Sequence, residues 1–175
     1  MTNLNWQQEL TIMTHKLNSI ISTPPIILAM GSDKYIVDCF GPLTGYYLKL
    51  MNIPTFVYGC LDFPLNAKML PSVYKILKAK HDNCPILAID SMIGNANDFG
   101  KIKLIKGGIY PGSGTGKNFP LTGTVALTAI VTDNDNLQKP TRLNFINQLA
   151  LKASQIVYQT VVLSLSNCNG KNYNL

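Results

Sequence analysis

Short apolar runs alternate with amphipathic segments along the first half of the chain. Residues 26–30, 55–59 and 85–89 are mostly apolar, and runs of this length are typical of strands buried on both faces of a parallel sheet. The segments 38–51 and 66–80 between them repeat apolar residues at helical spacing. This alternation predicts right-handed strand–helix–strand crossovers, and therefore a parallel sheet with helices on both faces.

The second half of the chain follows a different pattern. Residues 101–105 alternate polar and apolar positions and residues 124–132 are rich in Val, Thr and Ile, so both are predicted strands. A long glycine-rich loop joins them without a helix, which favours antiparallel pairing. Amphipathic helices are predicted over 5–20 and 141–166. The Asn-rich residues 167–175 are predicted to form a flexible tail.

Length and composition fit a single domain over residues 1–175. Hydrophobic residues make up 46% of the chain and charged residues 14%, a balance that supports a large buried core. The N-terminus lacks a basic patch followed by an apolar segment, and no apolar run approaches a membrane span. Four cysteines occur singly, which favours a reducing compartment and argues against zinc. We therefore expect a cytoplasmic protein without membrane association.

The net charge of +6 is carried almost entirely by lysine, because Arg142 is the only arginine. Guanidinium groups are the usual contacts to phosphate and guanine, so a nucleic-acid partner is not expected. Lysines are concentrated within 75–80 on one predicted helix and within 101–106 on one predicted strand. A solvated face explains both groups, and attraction of an acidic substrate or partner is the alternative.

Two aspartates follow the first and third predicted strands. Ligands of open parallel sheets bind outside the carboxyl ends of the strands, so Asp38 and Asp90 are expected to meet at one crevice. Two close carboxylates share one proton, which would let one act as general base towards water and the other as general acid. The start of a helix favours the ionised form of Asp38. Asp38 could equally be an ordinary helix cap, and Asp90 could begin a turn.

The glycine-rich loop 107–117 is similar at first sight to a phosphate-binding loop. Pro111 occupies the first glycine position of the GxxxxGK[ST] pattern, Asn118 replaces its Ser or Thr, and a strand follows where a helix is needed. A loop that lines or covers the crevice, with Gly112 and Gly114, is the better interpretation.

Four motifs, in this order, resemble the YyaC family of sporulation proteins. They are GSDKYIVDCFGPLTG (31–45), YGCLDFPLNAKML (58–70), ILAIDSMIG (86–94) and PGSGTGKNFPLTGTVALTAIV (111–131). Proteins of this family look like short relatives of the spore germination protease, which degrades small acid-soluble spore proteins. More distantly, they are similar to the hydrogenase maturation endopeptidases.

The resemblance implies a three-layer α/β/α sandwich with a mostly parallel central sheet, a phosphorylase/hydrolase-like fold. It also implies an unusual aspartic-type peptidase without a cofactor. The aspartate of the family's (T/P)-D-A-L-G-P segment matches Asp38, and the aspartate of its A-I-D segment matches Asp90, so these two would be catalytic. Asp33 matches the aspartate of a G-T-D segment. Substrate binding is assigned to the loop residues Asp33, Asn66, Gly112 and Gly114.

The sequence departs from the family pattern at three positions. The loop of the family usually reads GTDRSTGD. In this sequence Lys34 replaces its arginine and Val37 replaces its glycine, and the second change is expected to alter the loop's shape. Asn66 replaces the histidine of a P-V-H-A segment, which argues against a metal role.

The expected partner is a small protein or peptide substrate, with homo-oligomerisation possible. A catalytically inactive binding or regulatory protein on the same fold is the alternative.

Overall fold

The helices and strands follow the order that the hydrophobic pattern predicts. The computed structural model describes residues 5–112, 121–133 and 141–170. The strands are β1 (Ile26–Ala29), β2 (Val57–Tyr58), β3 (Ile86–Gly94), β4 (Ile102–Lys106) and β5 (Val125–Asp133). The helices are α1 (Trp6–Ile20), α2 (Phe40–Leu50), α3 (Leu70–Lys80) and α4 (Leu143–Gly170). Short 3₁₀ turns at Ile36–Asp38 and Ala67–Met69 precede α2 and α3.

The five strands form one sheet in the order β2-β1-β3-β5-β4. β2, β1, β3 and β5 run parallel, and β4 pairs with β5 in the antiparallel direction. Both the parallel sheet and the antiparallel addition are confirmed.

Helices cover both faces of the sheet. On one face α1, α2 and α4 bury Leu17, Phe40 and Ile156 in a core with Ile27 and Leu87. On the other face α3 packs its apolar side chains against the alternate residues of the same strands (Leu70, Val73 and Leu77 against Leu28 and Ala88). The alternation arises because successive strand residues point to opposite faces. The predicted three-layer α/β/α sandwich is therefore confirmed.

Some predicted boundaries are wrong. β3 does not end at Asp90 but continues to Gly94, because its ladder with β5 continues as far as Asp133. α4 continues to Gly170, so residues 167–170 of the predicted flexible tail are helical; residues 171–175 lie outside the described part of the chain. None of the helices in the described ranges has an apolar stretch long enough to cross a bilayer.

Candidate active site

A step in the sheet creates the site, because β3 continues after its neighbour β1 has ended. The two strands pair from Ile26 with Ile86 to Ala29 with Ile89. The next backbone N–H, that of Met30, donates to the Ile89 carbonyl at 2.8 Å. The β1 chain then turns towards β2 and forms a bridge with Leu65. Beyond this point the Asp90–Gly94 part of β3 pairs with β5 alone, which leaves space above it.

The loop after β1 folds back over this space and places Asp38 there. Gly31 has a φ of +141°, and a Cβ at this position would lie 2.2 Å from the Asp38 carbonyl oxygen. The close approach lets the Ser32 N–H donate to that same oxygen at 3.1 Å. Glycine is required here because a side chain would be strained and would collide with the returning loop.

Two further contacts fix the returning loop. The Cys39 thiol lies 3.4 Å from both the Ser32 and the Tyr35 carbonyl oxygens, to which it can donate. At the start of α2, a Cβ on Gly41 would lie 1.8 Å from the Met30 carbonyl oxygen, so the helix packs directly on the end of β1. Val37 lies in the right-handed 3₁₀ turn, so the loop accommodates it without a left-handed backbone conformation.

Asp38 and Asp90 line one cavity of about 580 Å³. Its remaining lining comes from the loop 35–37, from β3 and β5, and from the first part of the glycine-rich loop: Tyr35, Val37, Ser91, Met92, Ile93, Ile109, Tyr110, Gly112, Thr128, Val131 and Thr132. The convergence of the two carboxylates is the arrangement that the parallel strand order predicts. A mostly apolar cavity with two carboxylates is a suitable environment for raised carboxyl pKa values.

Thr128 lies opposite Asp90 on the neighbouring strand β5. The two residues are in register on adjacent parallel strands and face the same side, that of α3. The Asp90 Oδ1 atom accepts a hydrogen bond from the Ser91 N–H at 2.8 Å. Thr128 is fully buried, and its hydroxyl has no hydrogen-bond partner within the described residues. A buried hydroxyl without a partner is costly, which makes it a candidate contact for a bound molecule.

Burial raises both carboxyl pKa values. The pKa of Asp38 is raised to about 6 by desolvation. The pKa of Asp90 is raised to about 8 by desolvation first and by the charge of Asp38 second, against an opposing hydrogen bond from the Ser91 N–H. The expectation that the start of a helix favours ionised Asp38 is wrong in its net effect, because Asp38 lies before α2 and burial dominates. Cys39, not Asp38, occupies the cap position of α2, so the alternative of an ordinary cap is not supported.

These values give the two carboxyl groups different protonation states at neutral pH. With a pKa of about 6, Asp38 is mostly ionised at pH 7, whereas Asp90, with a pKa of about 8, is mostly protonated. The pair therefore holds one proton across this pH range. Asp38 can accept a proton, and Asp90 can donate one.

Cys39 is adjacent to this pair but is unsuited to nucleophilic attack. Desolvation, followed by the charges of Asp38 and Asp33, raises the pKa of its thiol. The reactive form of cysteine is the thiolate, which a raised pKa disfavours. Within the described ranges, no three His, Cys, Asp or Glu side chains are close enough to hold a metal ion. The carboxyl groups of Asp38 and Asp90 are the candidates for acid–base chemistry in this cavity.

The other predicted site residues lie in different places. Gly112 lines the cavity, and Gly114 lies outside the described residues. Asp33 is exposed at the far end of the returning loop and is not part of the lining. Asn66 accepts a hydrogen bond from the Lys68 N–H at 3.1 Å, so it caps the 3₁₀ turn before α3 and does not line the cavity.

The sequence analysis missed the contribution of Thr128. The alternation along β5 places Thr128 on the same face as Ala126, and this much can be read from the sequence. Its position opposite Asp90 also requires the register between β3 and β5, which residue types alone do not give.

Comparison with known proteins places the chain in a family. The family model described as "Protein of unknown function (DUF1256)" matches residues 2–156. The chain belongs to the DUF1256 family. The "Uncharacterized protein YyaC" of Bacillus subtilis (strain 168) is 28% identical over 145 residues, which are 80% of this chain and 71% of that relative. The resemblance to YyaC proteins is therefore confirmed.

Among solved structures, the chain is also similar to a hydrogenase maturation protease. The [NiFe] hydrogenase maturation protease HycI from Thermococcus kodakarensis KOD1 is 15% identical and matches with a TM-score of 0.47. The match covers 81% of this DUF1256 chain and 98% of the HycI chain.

Proposed function

We propose that this protein is a peptidase in which Asp38 and Asp90 activate water for the hydrolysis of a peptide bond in a small protein or peptide. The observation that carries the proposal is the presence of two carboxyl groups with raised pKa values, about 6 and about 8, in one cavity. Pairs of titratable groups whose surroundings separate their pKa values are typical of acid–base catalysis. The resemblance to the germination protease supports the same assignment of residues.

In the first step, the Asp38 carboxylate takes a proton from water as the water oxygen bonds to the peptide carbonyl carbon. The π electrons of the carbonyl move to its oxygen, which receives the proton of Asp90. In the second step, Asp38 gives its proton to the leaving nitrogen and the C–N bond breaks. Asp90 recovers a proton from a hydroxyl of the intermediate as the new carboxyl group forms. The pair thus ends with the single proton with which it began.

Other groups in the cavity suit a substrate role. The Thr128 hydroxyl is available to hydrogen bond to the attacking water or to the substrate carbonyl. Tyr35 and Tyr110 lie at the cavity and expose 69% and 61% of their surface, which makes them available to apolar substrate side chains.

The second candidate is a binding or regulatory protein that has the cavity without turnover. Val37 favours this candidate, because it lines the cavity at a position where the YyaC pattern has glycine. The two candidates differ in whether any protein is cleaved.

The test is cleavage of denatured casein and of small spore-type proteins, followed by mass spectrometry. We expect Asp38→Asn and Asp90→Asn each to reduce kcat/KM by about 100-fold or more, since acid–base groups contribute roughly that much. Asp82→Asn is the matched control, because Asp82 is exposed in the turn after α3 and lies outside the cavity. Its activity should be unchanged.

The pH dependence adds a second measurement. A base with a pKa of about 6 and an acid with a pKa of about 8 predict a bell-shaped profile of kcat/KM with a maximum near pH 7. Activity that survives both substitutions would contradict the proposal. Peptide binding without cleavage of any protein in the panel would favour the second candidate.

A further inference from the structure

The open edge of β3 lies inside the candidate active site. Ile26 donates its N–H to the Pro85 carbonyl and Met30 donates its N–H to the Ile89 carbonyl, so alternate residues of β3 face β1. Continuing this alternation, the next residues that face the same way are Ser91 and Ile93. The Ser91 N–H already donates to the Asp90 Oδ1 atom at 2.8 Å, so the groups left for a new strand are the Ser91 carbonyl and the backbone of Ile93. Because β1 has turned away by this point, no strand within the described ranges pairs with this edge.

The two outer edges of the sheet differ from this inner edge. β2 has only two residues, and the segment that carries β4 has Lys101, Lys103 and Lys106. Short strands and lysines are common ways in which proteins prevent unwanted pairing at sheet edges. Along Ser91–Gly94, by contrast, all side chains are uncharged. The edge at the step thus lacks both of these protections.

The surroundings of this edge fit an extended chain. Ser91, Met92 and Ile93 line the same cavity as the two aspartates, with the exposed Tyr35 at its side. Strand residues rise by roughly 3.3 Å each, so the edge matches a segment of about four or five residues. Addition of a strand to an open edge is a general mode of peptide recognition, in which backbone hydrogen bonds give affinity and side-chain pockets give selectivity.

We propose that an extended polypeptide segment pairs with the open edge of β3 at the Ser91 carbonyl and at Ile93, in the position that β1 would occupy if it continued. This inference rests on the proposed function, for which it defines the substrate class: unfolded or terminal segments with apolar side chains that reach Ile93 and the tyrosines. Because the Ser91 N–H is held by the Asp90 carboxyl group, a segment carbonyl that approaches this N–H comes directly beside Asp90. A folded protein surface is not a suitable substrate, because the edge is recessed below the loop that carries Asp38.

The test uses Asp38→Asn, which we expect to bind without cleaving, and a panel of capped decapeptides in which valine, isoleucine or tyrosine alternates with serine. Binding is measured calorimetrically, and each bound peptide is then scanned by N-methylation of single backbone amides. Methylation at alternate positions should weaken binding about tenfold or more, and methylation between them should have little effect, because only alternate amides face β3. Hydrogen exchange should slow at the amide of Ile93 and stay unchanged at that of Met92, which faces β5.

A variant of the edge gives an independent measurement. Ile93→Lys places a lysine on this edge, as lysines stand on the outer edge at β4, and should therefore discourage strand pairing. Because the Ile93 residue is 37% exposed, the fold should tolerate the change. We expect about tenfold weaker binding for Ile93→Lys and unchanged binding for the conservative Ile93→Val, with circular dichroism confirming the fold of both.

Several results would overturn the inference. One is that no peptide in the panel binds. Another is that N-methylation weakens binding without an alternating pattern. A third is that the edge pairs with a second copy of this chain, which would be seen as a dimer that the peptides dissociate. Strand pairing and peptidase activity can fail separately. If N-methylation weakens binding at alternate positions but the unmodified protein cleaves nothing, strand pairing is supported and the peptidase proposal is wrong. If the protein cleaves peptides but the N-methyl effects do not alternate, the peptidase proposal is supported and strand pairing is wrong.

Discussion

The two halves of β3 have opposite environments within one continuous strand. Leu87, Ala88 and Ile89 are fully buried between β1 and β5, whereas Asp90 to Gly94 are half-buried or exposed. The change occurs where β1 ends, one residue before Asp90. A strand can therefore be part of the core and part of a reactive site, and the length of its neighbour determines where one gives way to the other.

Moving a carboxylate from the second half of β3 into the first should have the largest effect. Ala88 points to the same face as Asp90 but is completely buried against α3. We expect Ala88→Asp to destabilise the protein by about 4 kcal/mol or more, or to prevent folding, because the site offers the charge neither solvent nor a partner. Urea unfolding measures the loss. Asp90→Ala is the control and should be tolerated; equal costs for the two variants would contradict the contrast.

The loop over the second half of β3 depends on Gly31. We expect Gly31→Ala to cost about 2–4 kcal/mol, because its Cβ would meet the Asp38 carbonyl at 2.2 Å in a left-handed backbone conformation. Gly107→Ala is the matched control: Gly107 has a φ of +83° but no atom within 4 Å of its Cβ position, so only the conformational cost of about 1 kcal/mol remains. Unfolding free energies compare the two. Similar losses would show that the contact with Asp38 is unimportant.

The raised pKa of Asp90 predicts a stability that falls as pH rises. In the unfolded chain its pKa is near 3.8, and in the folded protein it is about 8, so the folded state binds the extra proton between these values. The contribution of Asp90 to stability is therefore greatest below about pH 4, declines up to about pH 8 and is level above it. Relative to the original protein, Asp90→Asn should be more stable at pH 9 than at pH 4 by about 2 kcal/mol, after allowance for partial exposure.

Asp98 provides the opposite case as a control. Hydrogen bonds from Lys103 and then Lys101 lower its pKa to about 2, so its contribution is present above the unfolded pKa and lost as pH falls through the folded one. Asp98→Asn should thus lose its effect at low pH. Identical pH dependence of the original protein and Asp90→Asn, measured by thermal unfolding, would refute the raised pKa of Asp90.

The smallest expected effect concerns the Thr128 hydroxyl. Thr128→Val removes a buried polar atom without a partner in the described residues, so stability should rise by about 1 kcal/mol. If this hydroxyl contacts the substrate, kcat/KM should fall by roughly tenfold. Thr160→Val is the control, because the Thr160 hydroxyl donates to the Ile156 carbonyl at 2.8 Å and its loss should reduce stability. A destabilised Thr128→Val with unchanged kinetics would indicate a purely structural residue.

Strands buried on both faces made much of this fold predictable. Their uninterrupted apolar runs identify β1 and the first half of β3, and parallel order then brings Asp38 and Asp90 to one edge. The second half of β3 was not predictable in this way, because an aspartate after an apolar run is typical of a strand end. Its continuation depends on pairing with β5. Similarly, whether Asp38 caps α2 depends on the 3₁₀ turn before it, which residue types do not specify.

The loop that carries Asp38 is fixed at its base, and the side chains at its tip are exposed. Gly31, Cys39 and Gly41 hold the base in place, whereas Lys34, Tyr35 and Ile36 are exposed. Evolution, or an engineer, can therefore exchange the tip residues to select different polypeptides while the reactive carboxyl group stays where it is. Randomised libraries confined to these three positions offer a direct route to altered selectivity within the same architecture.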